Sequence, residues 1–138
     1  MRDRELFIDG AWRQGIAGRR LEIRDPATRE PVGTTALADR SDIDDAVAAA
    51  ARALPLWAAV HPDERARILL RAAALIEQRL PVIADLVTRE QGKQVSDSEK
   101  EIRFGIEVIR YYAEEGRRIG GSLRASSRSD IRSLVQRF

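Results

Sequence analysis

Ile102, Ile106, Ile109 and Ala113 recur at i, i+4, i+7 and i+11, which lays one apolar stripe along three turns of a helix. Such a stripe holds only when another element covers it, so the chain has to bring further structure against it. Partners stand upstream. Leu69, Ala72, Ala73, Ile76 and Leu80 form a second stripe, in a helix with Pro62 at its first position and Asp63 and Glu64 in its first turn. Pro81 restarts a third helix carrying Ile83, Leu86 and Val87, which Gly92 closes as a left-handed residue. Before these, Ser41 reads as an N-cap, with Asp42, Asp44 and Asp45 at the positive end of the helix dipole. Ile43, Val47, Ala50 and Leu54 share one face of that helix, and Pro55 is expected to end it. Ser96 and Glu99 have the spacing of a capping box for the last helix.

The flanks read as extended chain. Leu6, Ile8 and the Ala11-Trp12 pair flank Asp9-Gly10, the dipeptide that best accepts the positive φ angles of a tight hairpin. Leu21-Glu22-Ile23-Arg24 alternates apolar and charged residues as a strand wet on one face does. Asp25-Pro26 initiates a turn, and residues 31–37 read as a further short strand. After Gly120-Gly121, the serine-rich stretch 122–129 is expected to be a loop, and residues 130–138 a final strand.

Composition removes several function classes. There is no run of about twenty apolar residues, so no transmembrane helix, and the first five residues lead into no secretory apolar stretch. With no cysteine, a disulfide framework is excluded and a cytoplasmic setting is the default. The net charge is +2, from 24 basic and 22 acidic residues, without the positive excess of a nucleic-acid binder. Arg117, Arg118, Arg124, Arg128, Arg132 and Arg137 do crowd the end, with Asp130 as the only acid among them. No aromatic residues are interleaved there for base stacking, so they read as a solvated helix end and linker.

Few residues are equipped for chemistry. His61 is the only histidine, which excludes a histidine metal cluster; beside Pro62 it reads as a helix cap or surface residue. The glycines at 15 and 18 and those between 116 and 121 lack the strand-loop-helix context and lysine of a phosphate cradle. Of Tyr111 and Tyr112, one is expected to pack and the other to lie near the surface. Trp12 and Trp57 read as packing anchors. Glu90 and Lys93 read as a solvated helix end whose lysine bonds the terminal carbonyls.

Three blocks in fixed order carry a resemblance: Phe7-Ile8-Asp9-Gly10-Ala11-Trp12, Asp25-Pro26-Ala27-Thr28, and Thr88-Arg89-Glu90-Gln91-Gly92-Lys93. From about Leu6 to Phe138 the chain resembles the amino-terminal part of the aldehyde dehydrogenases, NAD(P)-dependent enzymes that oxidise aldehydes to acids. Tyr111-Tyr112-Ala113-Glu114-Glu115-Gly116-Arg117-Arg118 resembles the branch that handles semialdehydes such as succinate semialdehyde. Departures are Gln94, where proline often follows the lysine, and His61, where serine or threonine usually caps.

The resemblance implies an α/β fold, the amino-terminal portion of the dehydrogenase, incomplete as a domain. Residues 1–128 would belong to the cofactor-binding domain, and residues 129–138 would begin a bridging strand that holds subunits together. The parent would be a cytoplasmic homo-oligomer, a dimer or tetramer, using NAD or NADP on a small-molecule aldehyde, with neither nucleic acid nor membrane as partner. In some relatives an acidic residue at the position of Glu90 helps hold a structural monovalent cation, with carbonyls near Ile23 and Arg24. The family's reaction needs a cysteine thiolate as nucleophile, a glutamate base and an asparagine at the oxyanion. This chain has no cysteine and no asparagine. By itself it is expected to be inactive and to bind no cofactor, a truncated piece of the enzyme. The alternative is a stand-alone, non-catalytic interaction module that binds a protein partner.

Overall fold

Asp9 and Gly10 both take positive φ, 53° and 79°, as a two-residue type I′ turn requires at both central positions. That turn joins β2 (Leu6–Ile8) to β3 (Ala11–Arg13) as an antiparallel hairpin in which Phe7 faces Trp12. The computed structural model describes residues 2–125 and 127–135. A second sheet has β5 (Pro31–Ala36) at its centre, antiparallel to β4 (Arg20–Arg24) and parallel to β1 (Arg2–Arg4). The turn between β4 and β5 is built as the sequence implies. Asp25 Oδ1 accepts the N–H groups of Ala27 and Thr28 at 2.8 and 3.2 Å.

Four helices follow: α1 (Arg40–Ala58), α2 (Pro62–Gln78), α3 (Leu80–Gln91) and α4 (Val95–Glu115). Both α2 and α3 pack on α4. Ala73, Leu80 and Ile106 are buried at the centre, with Ile76, Ile102 and Ile109 partly buried around them. Burying a side chain the size of Ile106 contributes about 1.5–3 kcal/mol. Ala66, Ala73, Ala84 and Ala113 are closed off from solvent; where side chains are this small, neighbouring backbones can approach closely. Between α3 and α4 the hydroxyls of Thr88 and Ser98 bond at 2.8 Å, and Ser98 is fully buried. Gly92 ends α3 with φ 71°, as its position after Thr88-Arg89-Glu90-Gln91 predicts.

Several details differ from the sequence reading. The cap of α1 is Asp39, not Ser41. Asp39 Oδ1 accepts the Asp42 N–H at 3.1 Å, and the Asp39 N–H donates back to Asp42 Oδ2 at 3.1 Å. The Ser41 hydroxyl donates to the same Asp39 oxygen. A carboxylate takes both donors at once, which one serine oxygen does less strongly.

Pro55 does not end α1, which continues to Ala58. Proline removes one N–H but holds a helical φ, and the Ala59 N–H closes the last turn onto the Pro55 carbonyl at 3.1 Å. Ser96 and Glu99 form no capping box: α4 begins at Val95 behind Gln94, which makes no side-chain cap bond. Near that start the Ser98 hydroxyl bonds to Thr88 and Lys93 pairs with Glu101. The stretch 122–129 is not all loop. β6 (Ser122–Ala125) pairs antiparallel with β7 (Arg132–Val135), Leu123 opposite Leu134. β6 acquires its strand character from this cross-strand partner, which a local reading of Ser-Leu-Arg-Ala does not reveal.

The aromatic expectations also change. Tyr111 and Tyr112 are both exposed and meet edge-on at 5.3 Å. Trp12 is 65% exposed and Trp57 41%; the ring contact of Trp12 is with Phe7, at 4.9 Å. Helix α4 is apolar on two sides, one covered by α2 and α3 and the other carrying Phe104, Val108, Tyr111 and Tyr112 to the surface.

Two outcomes follow from this geometry. At Gly92 an added Cβ would stand 2.6 Å from Cγ of Pro26 on a positive φ, so Gly92→Ala is expected to lower unfolding free energy by about 2 kcal/mol in urea denaturation. Asp39 has its carboxyl held below the ordinary value of 3.8, first by the backbone bond from Asp42 and then by the Ser41 hydroxyl. A depressed folded-state value means the unfolded chain binds the proton first, so this contribution is full above that value and is lost as pH falls through the lower, folded one. Asp39→Ala is expected to flatten the pH dependence of the thermal midpoint in that acidic window and to leave its slope near neutrality unchanged.

Candidate functional site

Leu86 and Glu90 stand one helical turn apart on α3 and therefore share a face. Gly92, next to that face, fits against Pro26 in the β4–β5 turn, with no room for a Cβ between them. The contact holds the end of α3 beside the sheet. Between them lies a cavity of about 290 Å³, lined by Arg4, Ile23, Val32, Gly33, Thr34, Thr35, Leu86 and Glu90.

The walls are set by strand register. Arg4 sits opposite Thr35 on the parallel pair, and Ile23 opposite Gly33 on the antiparallel pair. The register then shifts between Ile23 and Arg24, so that Arg24 faces Pro31 and Val32 is skipped. A bulge of this kind leaves a backbone position outside the ladder and is a common device beside binding sites. Arg20 ties the strands together, donating from Nε to Thr34 Oγ1 at 2.7 Å and from Nη2 to the Arg4 carbonyl at 3.0 Å.

Of the residues singled out in the sequence, Glu90 and Ile23 meet at this cavity. Arg24 is not among its walls; its Nη1 donates instead to the Arg29 carbonyl at 3.0 Å. Lys93 does not bond the end of α3 but pairs with Glu101 of α4. His61 caps α2, its Nδ1 accepting the Asp63 N–H at 3.3 Å. Among the described arginines of the carboxyl-terminal cluster, Arg117 pairs with Asp63 at 3.0 Å, Arg118 with Glu115 and Arg128 with Asp130; Arg137 lies outside the described residues. Among the described residues no three His, Cys, Asp or Glu side chains gather as a metal cluster, and no helix is long and apolar enough to cross a membrane.

The donor set decides what the cavity suits. It offers one carboxylate, one threonine hydroxyl and bulged backbone, all hard oxygens, because Thr34 and Thr35 alternate faces on β5 and the Thr34 hydroxyl accepts from Arg20. One carboxylate falls short of what a divalent ion demands. The wall also carries the guanidinium-bearing Arg4, which brings the formal charge to zero. Sequence reasoning missed Arg4, Thr34 and Thr35: the β1–β5 pairing places Arg4 beside Thr35, and only the packing of the sheet next to α3 brings them near Glu90.

The aldehyde dehydrogenase family matches residues 12–138. This chain belongs to that family. It is 38% identical over 115 residues to the aspartate-semialdehyde dehydrogenase (non-phosphorylating) of Halomonas elongata, covering 83% of this chain and 23% of that protein. It superposes with a TM-score of 0.88 on an NADP-dependent enzyme of Escherichia coli, at 31% identity, over 96% of this chain and 27% of the other. On the succinate-semialdehyde dehydrogenase of Burkholderia pseudomallei the TM-score is 0.86 at 30% identity, covering 94% of this chain and 26% of that one. The chain thus spans about a quarter of the length of these dehydrogenases.

Asp42 is the residue whose role the sequence least revealed. Fully buried, it accepts the Ile16 N–H at 3.1 Å and the Asp39 N–H, and meets Arg13 Nη2 at 3.4 Å. Removing a buried charge partner leaves its donors unsatisfied, so Asp42→Ala is expected to cost about 3–5 kcal/mol, read as a large drop in the urea midpoint. Asp45→Ala, which removes an exposed partner of the same Arg13, is expected to cost less than about 1 kcal/mol.

Proposed function

We propose that this chain is the amino-terminal part of an NAD(P)-dependent aldehyde dehydrogenase, contributing scaffold to an enzyme that oxidises an aldehyde, and within that class a semialdehyde, to its acid. The observation that carries the reading is the match of nearly the whole chain, at a TM-score of 0.88, to about a quarter of a dehydrogenase. The chemistry of the family points the same way. Hemithioacetal formation needs a thiolate, and the oxyanion needs a side-chain amide; with neither cysteine nor asparagine here, the rest of the polypeptide supplies both. The nicotinamide cofactor accepts the hydride when bound, and its site is built by that same remainder. The semialdehyde preference draws on the Tyr111-Tyr112-Ala113-Glu114-Glu115 block and on relatives of that substrate class.

Exposed surface supports a scaffold role. Ile43, Val47 and Leu54 on α1, and Phe104, Val108, Tyr111 and Tyr112 on α4, form apolar faces open to solvent in this chain, of the kind that marks an interaction surface. The β6–β7 hairpin presents Leu123 and Leu134 in the same way. In this reading it is the bridging element between subunits of a cytoplasmic homo-oligomer. In the same reading Glu90, with a threonine hydroxyl and bulged backbone of its cavity, is the ligand of a structural monovalent cation.

The test is a coupled pair of measurements. A polypeptide carrying this chain with the remaining three-quarters of a dehydrogenase is expected to reduce NAD or NADP in the presence of succinate semialdehyde. The 138 residues alone are expected to give no reduced nicotinamide, and neither cofactor is expected to raise their melting temperature. Turnover by the chain alone, or a cofactor-dependent shift of its melt, would overturn the scaffold reading.

A further inference from the structure

Helix α4 carries the spacing of its core stripe twice. Ile102, Ile106, Ile109 and Ala113 lie on the side that packs on α2 and α3, and Phe104, Val108, Tyr111 and Glu115 repeat the same intervals two positions later. Two positions turn a helix by about 200°, so the second stripe lies on the opposite side. Phe104, Val108 and Tyr111 are exposed there, away from the packing of α4 on α2 and α3.

An ion pair stands at each end of this outer stripe, both in the order acid then base. At the amino end Asp97 pairs with Lys100 at 3.1 Å, and at the carboxyl end Glu115 pairs with Arg118, just past the helix, at 3.0 Å. A second copy laid antiparallel, with a two-fold axis between Glu107 and Val108, meets this order with its complement. Asp97 then stands opposite Arg118 of the second copy, Lys100 opposite its Glu115, and Phe104 opposite its Tyr111. Each contact occurs twice, as in any isologous interface. Glu101 and Glu114 also come opposite one another in that register, and each is paired within its own chain, with Lys93 and Arg117.

The area on offer fits a reversible pair. Phe104, Tyr111 and Tyr112 are 70%, 60% and 64% exposed. At about 150–250 Å² per aromatic side chain they leave on the order of 400 Å² to cover in each copy. Val108 and the four charged side chains bring that toward the roughly 800 Å² per partner of a standard interface.

We propose that the outer face of α4 pairs antiparallel with the same face of a second copy when the 138 residues stand alone. The copy then takes the place that the scaffold reading gives to the rest of the enzyme, and the pairing does not depend on that reading.

Sedimentation equilibrium on the 138-residue chain is the test, and the expected species is a reversible dimer of twice 15.5 kDa. Lys100→Glu and Glu115→Lys each set like charges opposite one another at two symmetric places, and each is expected to weaken the dimer about tenfold. Combined in one chain they restore opposite charges and are expected to return the parent affinity. Phe104→Asp is expected to give a monomer with the parent far-ultraviolet circular dichroism spectrum. A monomeric parent chain would overturn the proposal and leave the face to the rest of a dehydrogenase. Association that survives Phe104→Asp, that ignores the single charge variants, or that the combined variant does not restore would overturn it as well.

Discussion

The carboxylate of Asp42 is the point on which the amino-terminal half turns. It is fully buried, and its oxygens hold the chain after β3 through Ile16, the cap of α1 through Asp39, and the end of the hairpin through Arg13. Desolvating a carboxylate costs several kcal/mol, which only a full set of donors offsets. The three segments therefore have to arrive together, and their mutual placement is determined by one charge. Gly15 shows how tightly: a Cβ there would stand 2.4 Å from the Leu37 carbonyl oxygen.

The carboxyl-terminal half is organised differently. Helices α2, α3 and α4 rely on small apolar contacts, with Ala73, Leu80 and Ile106 at their centre, and on the hydroxyl bond of Thr88 with the buried Ser98. Ion pairs such as Arg110 with Glu77 and Arg117 with Asp63 cross the α2–α4 seam at the surface, where such pairs contribute little. One half is thus tied by polar groups and the other by packing. The cavity of Glu90 lies where the sheet meets α3, and its contents are charges and hydroxyls on a partly apolar wall.

Much apolar surface is left open in this member of the aldehyde dehydrogenase family. The outer faces of α1 and α4 carry residues as large as Phe104, 70% exposed. The chain covers about a quarter of its relatives' length, and under the scaffold reading proposed above those faces are the ones the rest of the enzyme packs against.

Local patterns were legible without coordinates. The Asp9-Gly10 turn, the Asp25 turn, Pro62 at the start of α2, Gly92 at the end of α3 and the isoleucine stripe of α4 all follow from backbone dihedrals and helical periodicity. These depend on residues within a few positions of one another. The cap of α1 is local too, but Asp39 displaces Ser41 because Asp42 answers it. The other parts that escaped depend on partners further away in sequence: Ser98 is buried against Thr88, and Ser122–Ala125 is a strand because Arg132–Val135 pairs with it. For the same reason Glu90 was visible in the sequence and Arg4 was not: they stand 86 positions apart, and the parallel pairing of β1 with β5 is needed to bring them to one cavity.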